Sequence, residues 1–277
     1  MIFDALTHVT PDGRWFHTSC DASEKALRRQ LDESGAQRAM VVPLAGYIEN
    51  QFVLEVCRRD PERLIPCASF NPAAHATPAE ASTALRKELK GTDFKALKLH
   101  PRLGRYDPLD PRCMAVLEEI SSWERPFPVW LCSLFYYRGG QLQKPPVDTI
   151  HEIVCRFPSL TFVLAHGGGS WIMQVAEAVR DCPNVFLDLS LTMQRYGSSS
   201  IGADLRCLLG NFDRRILFGS DFPEASILES LEIFRMIADG IAPEKSANVL
   251  GGNLSRILGL KTEASPIVEH QCAQGQG

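Results

Sequence analysis

Ile216-Leu217-Phe218-Gly219-Ser220-Asp221-Phe222-Pro223 is an apolar, strand-like run that stops on a carboxylate. The same arrangement recurs in Val163-Leu164-Ala165-His166-Gly167-Gly168-Gly169 and in Ile2-Phe3-Asp4-Ala5-Leu6-Thr7-His8, which stop on imidazoles. Placing His or Asp where a strand ends is how a barrel enzyme presents ligands and bases at one mouth. Working outward, β-rich runs occur at Met1–Thr7, Arg38–Pro43, Leu64–Phe70, Phe94–Leu99, Phe127–Cys132, Leu160–Ala165, Val185–Leu189 and Arg215–Gly219, eight in all. Helical period follows each one, over Ser23–Ser34, Ile48–Asp60, Ala79–Lys90, Arg112–Trp123, Val147–Arg156, Ser170–Asp181, Ser199–Leu209 and Ser226–Ala238. Strands each followed by a helix predict an α/β fold with a closed parallel sheet, a (β/α)8 TIM barrel. Each right-handed crossover returns the chain to the same sheet. A doubly wound open sheet is the rival, but it usually has fewer strands and a Gly-rich first turn, which is absent after Met1–Thr7.

The first helix has Leu27 and Leu31 at helical spacing, Asp21 or Ser23 as its cap and Gly35 as its stop. A last helix is expected over Pro243–Leu258. The barrel is therefore placed at residues 1–260, and the apolar-poor segment 261–277 reads as a flexible tail.

Composition narrows the function. A chain of 277 residues that is 45% hydrophobic suits one large α/β domain. A net charge of −4 with no basic stripe argues against nucleic acid as a partner. Neither a signal peptide nor a membrane span is visible. Nine cysteines without CxxC spacing suggest reduced thiols and a cytoplasmic location. The expected partner is a small-molecule substrate. Barrels of this kind often pair, so a homodimer stays open.

Six segments in order carry a resemblance. They are Asp4-Ala5-Leu6-Thr7-His8, Asp32-Glu33-Ser34-Gly35-Ala36, Ala96-Leu97-Lys98-Leu99-His100-Pro101, Ala165-His166-Gly167-Gly168, Phe218-Gly219-Ser220-Asp221-Phe222-Pro223 and Gly252-Asn253. Together they resemble the amidohydrolase-related family of metal-dependent hydrolases and decarboxylases. That family includes the aminocarboxymuconate-semialdehyde and resorcylate-type decarboxylases and the pyrone-dicarboxylate lactonases. Its opening motif is His-x-His, and here the first His is Leu6. It also has a His at the end of strand five, where Pro128-Val129-Trp130-Leu131 leads here to Cys132. Two imidazole ligands that the resemblance implies are thus absent.

The resemblance implies that Asp221 is a catalytic aspartate, acting as metal ligand or general base; the rival reading is a capping aspartate. It implies that His166, beside three glycines, polarises substrate or moves protons, where the rival is a satisfied core histidine. His8 is the surviving half of its pair, and period-two alternation puts Leu6 on the same strand face. Cys132 is either a thiolate ligand in a His8–Cys132–Asp221 zinc-like set, a small buried space-filler, or a nucleophile. Lys98 and His100 alternate on strand four, and a lysine inside a barrel needs a partner, either Asp221 or a substrate carboxylate. Arg102, Tyr136, Arg138 and Arg195 follow strands on the mouth side. Aromatics with arginines there suit a planar anion, or a lid packed on itself. Ser133–Pro146 is the lid candidate.

These readings point to an enzyme hydrolysing or decarboxylating a small carboxylated cyclic or aromatic molecule. One version holds a single divalent metal such as zinc. The other, towards which the missing histidines lean, is metal-free, with Asp221 activating water and Lys98, arginine and histidine stabilising an oxyanion. A biosynthetic cyclase or isomerase, and a non-catalytic ligand-binding or partner subunit, are the alternatives.

Overall fold

The computed structural model describes residues 1–260. The tail expected at 261–277 lies outside the described residues. The strands are β1 (Phe3–Thr7), β2 (Arg38–Val41), β3 (Leu64–Pro66), β4 (Ala68–Phe70), β5 (Leu97–Leu99), β6 (Val129–Cys132), β7 (Phe162–Ala165), β8 (Val185–Asp188) and β9 (Ile216–Leu217). All pair in parallel, in the ladders β1-β2-β3 and β4-β5-β6-β7-β8-β9. The strand expected over Leu64–Phe70 is cut at Cys67, where the chain leaves one ladder and enters the other. Cys67 N donates to Val41 O at 3.0 Å and Ala68 N to Ala96 O at 2.9 Å. At the other seam, Ala5 N donates to Phe218 O (3.0 Å), Asp221 N to Leu6 O (2.9 Å) and His8 N to Phe222 O (2.7 Å). These bonds bring β1 alongside the chain that follows β9, which completes the TIM barrel.

Helices α1 (Glu24–Ser34), α2 (Asn50–Arg58) and α3 (Pro78–Leu89) cover the first strands. Ser23, not Asp21, is the cap of α1: its Oγ accepts from Ala26 N, while Asp21 braces the turn by accepting from Ser23 N. Gly35 stops α1 at φ 72°, a left-handed conformation that costs a glycine little. Two short helices lie on the mouth side, where the sequence pattern suggests loop: α4 (Pro101–Gly104) and, after α5 (Pro111–Ser121), α6 (Pro146–Arg156) and α7 (Ile172–Ala178), α8 (Thr192–Tyr196). The outer ring continues with α9 (Ile201–Asn211) and α10 (Ile227–Ile237). The helix expected over Pro243–Leu258 breaks into α11 (Pro243–Ala247), a π-type turn and α12 (Asn253–Ile257).

The apolar core divides as a barrel requires. One layer lies between strands and helices. The other fills the interior, where Phe3, Met40, Ile65, Trp130, Val163 and Phe186 meet Leu254 of α12. Leu6 belongs to this interior layer, so the position where the resemblance calls for a ligand is filled by hydrocarbon. Trp130 satisfies its indole N–H on Ala5 O at 3.2 Å. No helix among the described residues is long and apolar enough to cross a membrane.

Candidate active site

A cavity of about 220 Å³ opens where the strands end; His8, Lys98, His100, Cys132, His166 and Asp221 are among its lining residues. His8 follows β1 directly. Its Nδ1 faces Val42 O at 2.6 Å and its Nε2 faces Asp221 Oδ1 at 3.2 Å. Both neighbours are acceptors, so the ring serves both only as a double donor. Trp15 stacks on it with centroids 5.1 Å apart and planes 20° from parallel, and donates its own N–H to Glu224 Oε1 at 2.7 Å.

Asp221 is 6% exposed and takes φ 63°, a left-handed conformation that is uncommon outside glycine and concentrated at functional sites. Burial works to raise its carboxyl. The His8 hydrogen bond and the charges of His166, His8 and Lys98 overcome that and hold it at about 2. Asp221 is therefore a carboxylate throughout the neutral range.

His166 also has positive φ (67°), at the entry to the glycine triplet. Burial pushes its imidazole down to about 4, reinforced by Lys98 and opposed by Asp221. Its Nδ1 lies 3.1 Å from Ser190 O and 3.0 Å from Ser190 Oγ. His100 caps α4, its Nδ1 accepting from Leu103 N at 3.3 Å, so its ring proton sits on Nε2. Burial and then Lys98 hold His100 well below the ordinary histidine value.

Lys98 projects from β5 and is 1% exposed. Arg102 and Arg195 are exposed and also line the cavity. Among the described residues, none of these three cations lies within ion-pair distance of a carboxylate. Cys132 lines the cavity as well; burial raises its thiol although Lys98 pulls the other way. It is a neutral thiol at neutral pH, which argues against a nucleophilic role.

Two expected binding residues lie elsewhere. Tyr136 is 59% exposed and packs edge-on against Trp171 with ring centroids 5.6 Å apart, and Arg138 is exposed. Of the Ser133–Pro146 segment, only Leu134 reaches the cavity lining. In the other direction, Trp15, Leu191 and Glu224 line the cavity without having been singled out. Asp188 and Ser190, behind His166, carried the same signal that marks Asp221: polar residues where an apolar strand ends.

The amidohydrolase family model matches residues 3–260. The chain belongs to the amidohydrolase family. It is accordingly an enzyme, and its barrel has solved counterparts. An uncharacterised TIM-barrel protein from Bordetella bronchiseptica superposes with a TM-score of 0.76 at 19% identity, over 93% of this chain and 99% of the other. 5-Carboxyvanillate decarboxylase from Sphingomonas paucimobilis gives 0.67 at 14% identity, over 94% and 99%. A probable 2-pyrone-4,6-dicarboxylic acid hydrolase from Acinetobacter baumannii, with citric acid bound, gives 0.65 at 15% identity, over 94% and 99%. None of the curated proteins matches this amidohydrolase.

Metal-dependent chemistry in this family calls for a donor cage, and the residues present do not form one. Among the described residues no three His, Cys, Asp or Glu side chains converge so as to hold a metal ion. His8–Cys132–Asp221 is therefore not assembled as a ligand set. Only His8 Nε2 and Asp221 Oδ1 meet, and the Lys98 side chain lines the same cavity. A catalytic zinc site needs three protein ligands.

Proposed function

We propose that this amidohydrolase hydrolyses an ester-type bond, a lactone in the first instance, in a small carboxylated ring compound. One observation carries the reading. An ionised, buried Asp221 faces the same small cavity as three cations that lack a carboxylate partner. The buried Lys98 ammonium favours an anionic ligand, because leaving it unpaired is costly, and the two exposed arginines add attraction at the rim. Arg102 and Arg195 at the rim bind the substrate carboxylate. Asp221 takes a proton from water as the water oxygen attacks the ring carbonyl carbon. The Lys98 ammonium and the His100 Nε2–H stabilise the oxyanion. Collapse breaks the bond to the ring oxygen, which leaves with the proton held by Asp221. A cavity of about 220 Å³ suits one ring with short substituents.

The decarboxylase likeness favours a second reading, loss of carbon dioxide from an aromatic acid. That reaction ends with a proton placed on carbon, which the resting Asp221 carboxylate would first have to collect, whereas in hydrolysis the attacking water supplies it. Hydrolysis is thus the better fit. The test is product mass across a panel of carboxylated lactones, aryl esters and hydroxybenzoic acids. Products that gain one water, with heavy oxygen incorporated from labelled solvent, support the proposal. Products that lose carbon dioxide overturn it.

A further inference from the structure

Behind His166 lies a buried carboxylate that the scheme above leaves without a task. Asp188 is fully buried at the end of β8. Its Oδ1 accepts from Ser190 N at 3.1 Å. Its Oδ2 accepts from Ser190 Oγ at 2.5 Å and from His166 N at 3.5 Å. Every hydrogen bond it receives comes from Ser190 or His166. Gly219 leaves room for this arrangement: a Cβ there would stand 2.3 Å from Asp188 Oδ1 and 3.1 Å from Ser190 Cβ. Thr192 Oγ1 donates to His166 O at 2.6 Å and pins the same backbone.

The proton positions follow from these contacts. Ser190 has one hydroxyl proton, and it is donated to Asp188. Its Oγ therefore turns a lone pair to His166 Nδ1, 3.0 Å away, and Ser190 O, 3.1 Å from the same nitrogen, can only accept. Two acceptors on Nδ1 place the imidazole proton there. Nε2 is left as a bare lone pair, with no hydrogen-bond partner among the described residues.

We infer that Asp188 and Ser190 are positioning residues that hold His166 as the Nδ1–H tautomer, so that Nε2 meets the ligand as a hydrogen-bond acceptor. His166 then does not polarise a carbonyl. It accepts from a hydroxyl or N–H of the ligand, or from the attacking water. His100 is held in the opposite sense, with Nδ1 on Leu103 N and its proton on Nε2. The cavity therefore takes a ligand that is anionic, offers a donor to His166 and offers an acceptor to His100. This deepens the proposed function and rests on it only for where the ligand sits. The ionisable groups facing His166 are Asp221, Lys98, His8, His100 and Asp188, from four separate segments of the mouth. Replacing Asp188 by Asn removes one charge and lets an amide N–H donate to Ser190 Oγ. That turns the hydroxyl proton onto Nδ1 and favours the other tautomer.

Nitrogen NMR of the full chain with ¹⁵N-labelled histidine tests this without any substrate, so its failure is separable from failure of the proposed reaction. His166→Gln assigns the resonance. The expected result at neutral pH is a protonated Nδ1 and a bare Nε2 in the wild type and in Ser190→Thr, with Asp188→Asn shifting the population towards Nε2–H. A wild-type proton on Nε2 overturns the inference. So does an Asp188→Asn protein whose His166 nitrogen shifts match the wild type across pH, because Asp188 would then clamp only the backbone. If Asp188→Asn does not fold, Ser190→Ala takes its place; the expected result there is a His166 Nδ1 shift displaced from wild type, and an unchanged one contradicts the relay.

Discussion

His8 Nε2 lies 3.2 Å from Asp221 Oδ1, joining a residue just after the first strand to one just after the last, across the seam where the barrel closes. The same seam carries backbone bonds from His8 N to Phe222 O and from Asp221 N to Leu6 O. The dyad is therefore anchored on the seam that closes the barrel. Its electrostatic effect is specific: the hydrogen bond from His8 is the largest influence opposing burial at Asp221.

Removing that bond leaves burial ahead. In His8→Leu the Asp221 carboxyl should rise from about 2 into or above the ordinary carboxylate range. Because the ionised form is the base, activity falls as pH drops through this value. The acid limb of the kcat profile should then move to higher pH by at least ~1 unit. A limb that stays in place would show that His8 does not tune Asp221.

The unpaired cations should separate in kinetics. Arg102→Ala or Arg195→Ala, at the rim, should raise KM ~10-fold with kcat little changed, the pattern of lost uniform binding. Lys98→Met should lower kcat/KM by ~10²-fold or more, mostly through kcat, because its charge faces the developing oxyanion. Equal effects on KM at both depths would contradict the division of roles.

Asp4 supplies a stability test that needs no substrate. Burial drives its carboxyl up to about 7 against hydrogen bonds from Ser220 and Leu6, and Oδ2 has no partner. The native state therefore binds more protons than the unfolded state between the ordinary aspartate value of 3.8 and about 7. Stability from this group is lost as pH rises through that window, on the order of 4 kcal/mol at full ionisation. Asp4→Asn cannot ionise, so its melting temperature relative to wild type should rise between about pH 4 and about pH 7 and level off above that. His166, held at about 4, acts in the opposite sense within the same range and cancels in the comparison. A difference constant with pH would refute the assignment.

Gly219→Ala should cost ~1–3 kcal/mol, because the added methyl overlaps Asp188 Oδ1 and the barrel can yield only by moving strand ends. Thermal melts measure this directly, and an unchanged midpoint would mean that Asp188 has room to move.

Much of the architecture was legible because a barrel writes itself as alternating apolar runs and amphipathic segments. Asp221, His166, His8, Lys98, His100 and Cys132 could be found because each sits at or near the end of such a run, and all six line one cavity. The break at Cys67 was not legible, since it reflects a change of hydrogen-bond partner within one continuous apolar strand. Tyr136 was drawn to the site by composition, yet the loop carries it out against Trp171. Trp15 was missed for the converse reason: a loop residue far from any strand end reaches the site by stacking on His8. Tautomers lie beyond sequence altogether, because His166 and His100 differ only in what their Nδ1 atoms touch.

The most direct test of the central claim is the turnover of Asp221→Asn beside wild type, on whichever carboxylated lactone the wild type hydrolyses fastest. Asn keeps the shape and loses the base. The expected result is a fall in kcat of ~10³-fold with KM within a few-fold of wild type. A variant that keeps a tenth or more of wild-type kcat would contradict Asp221 as the base.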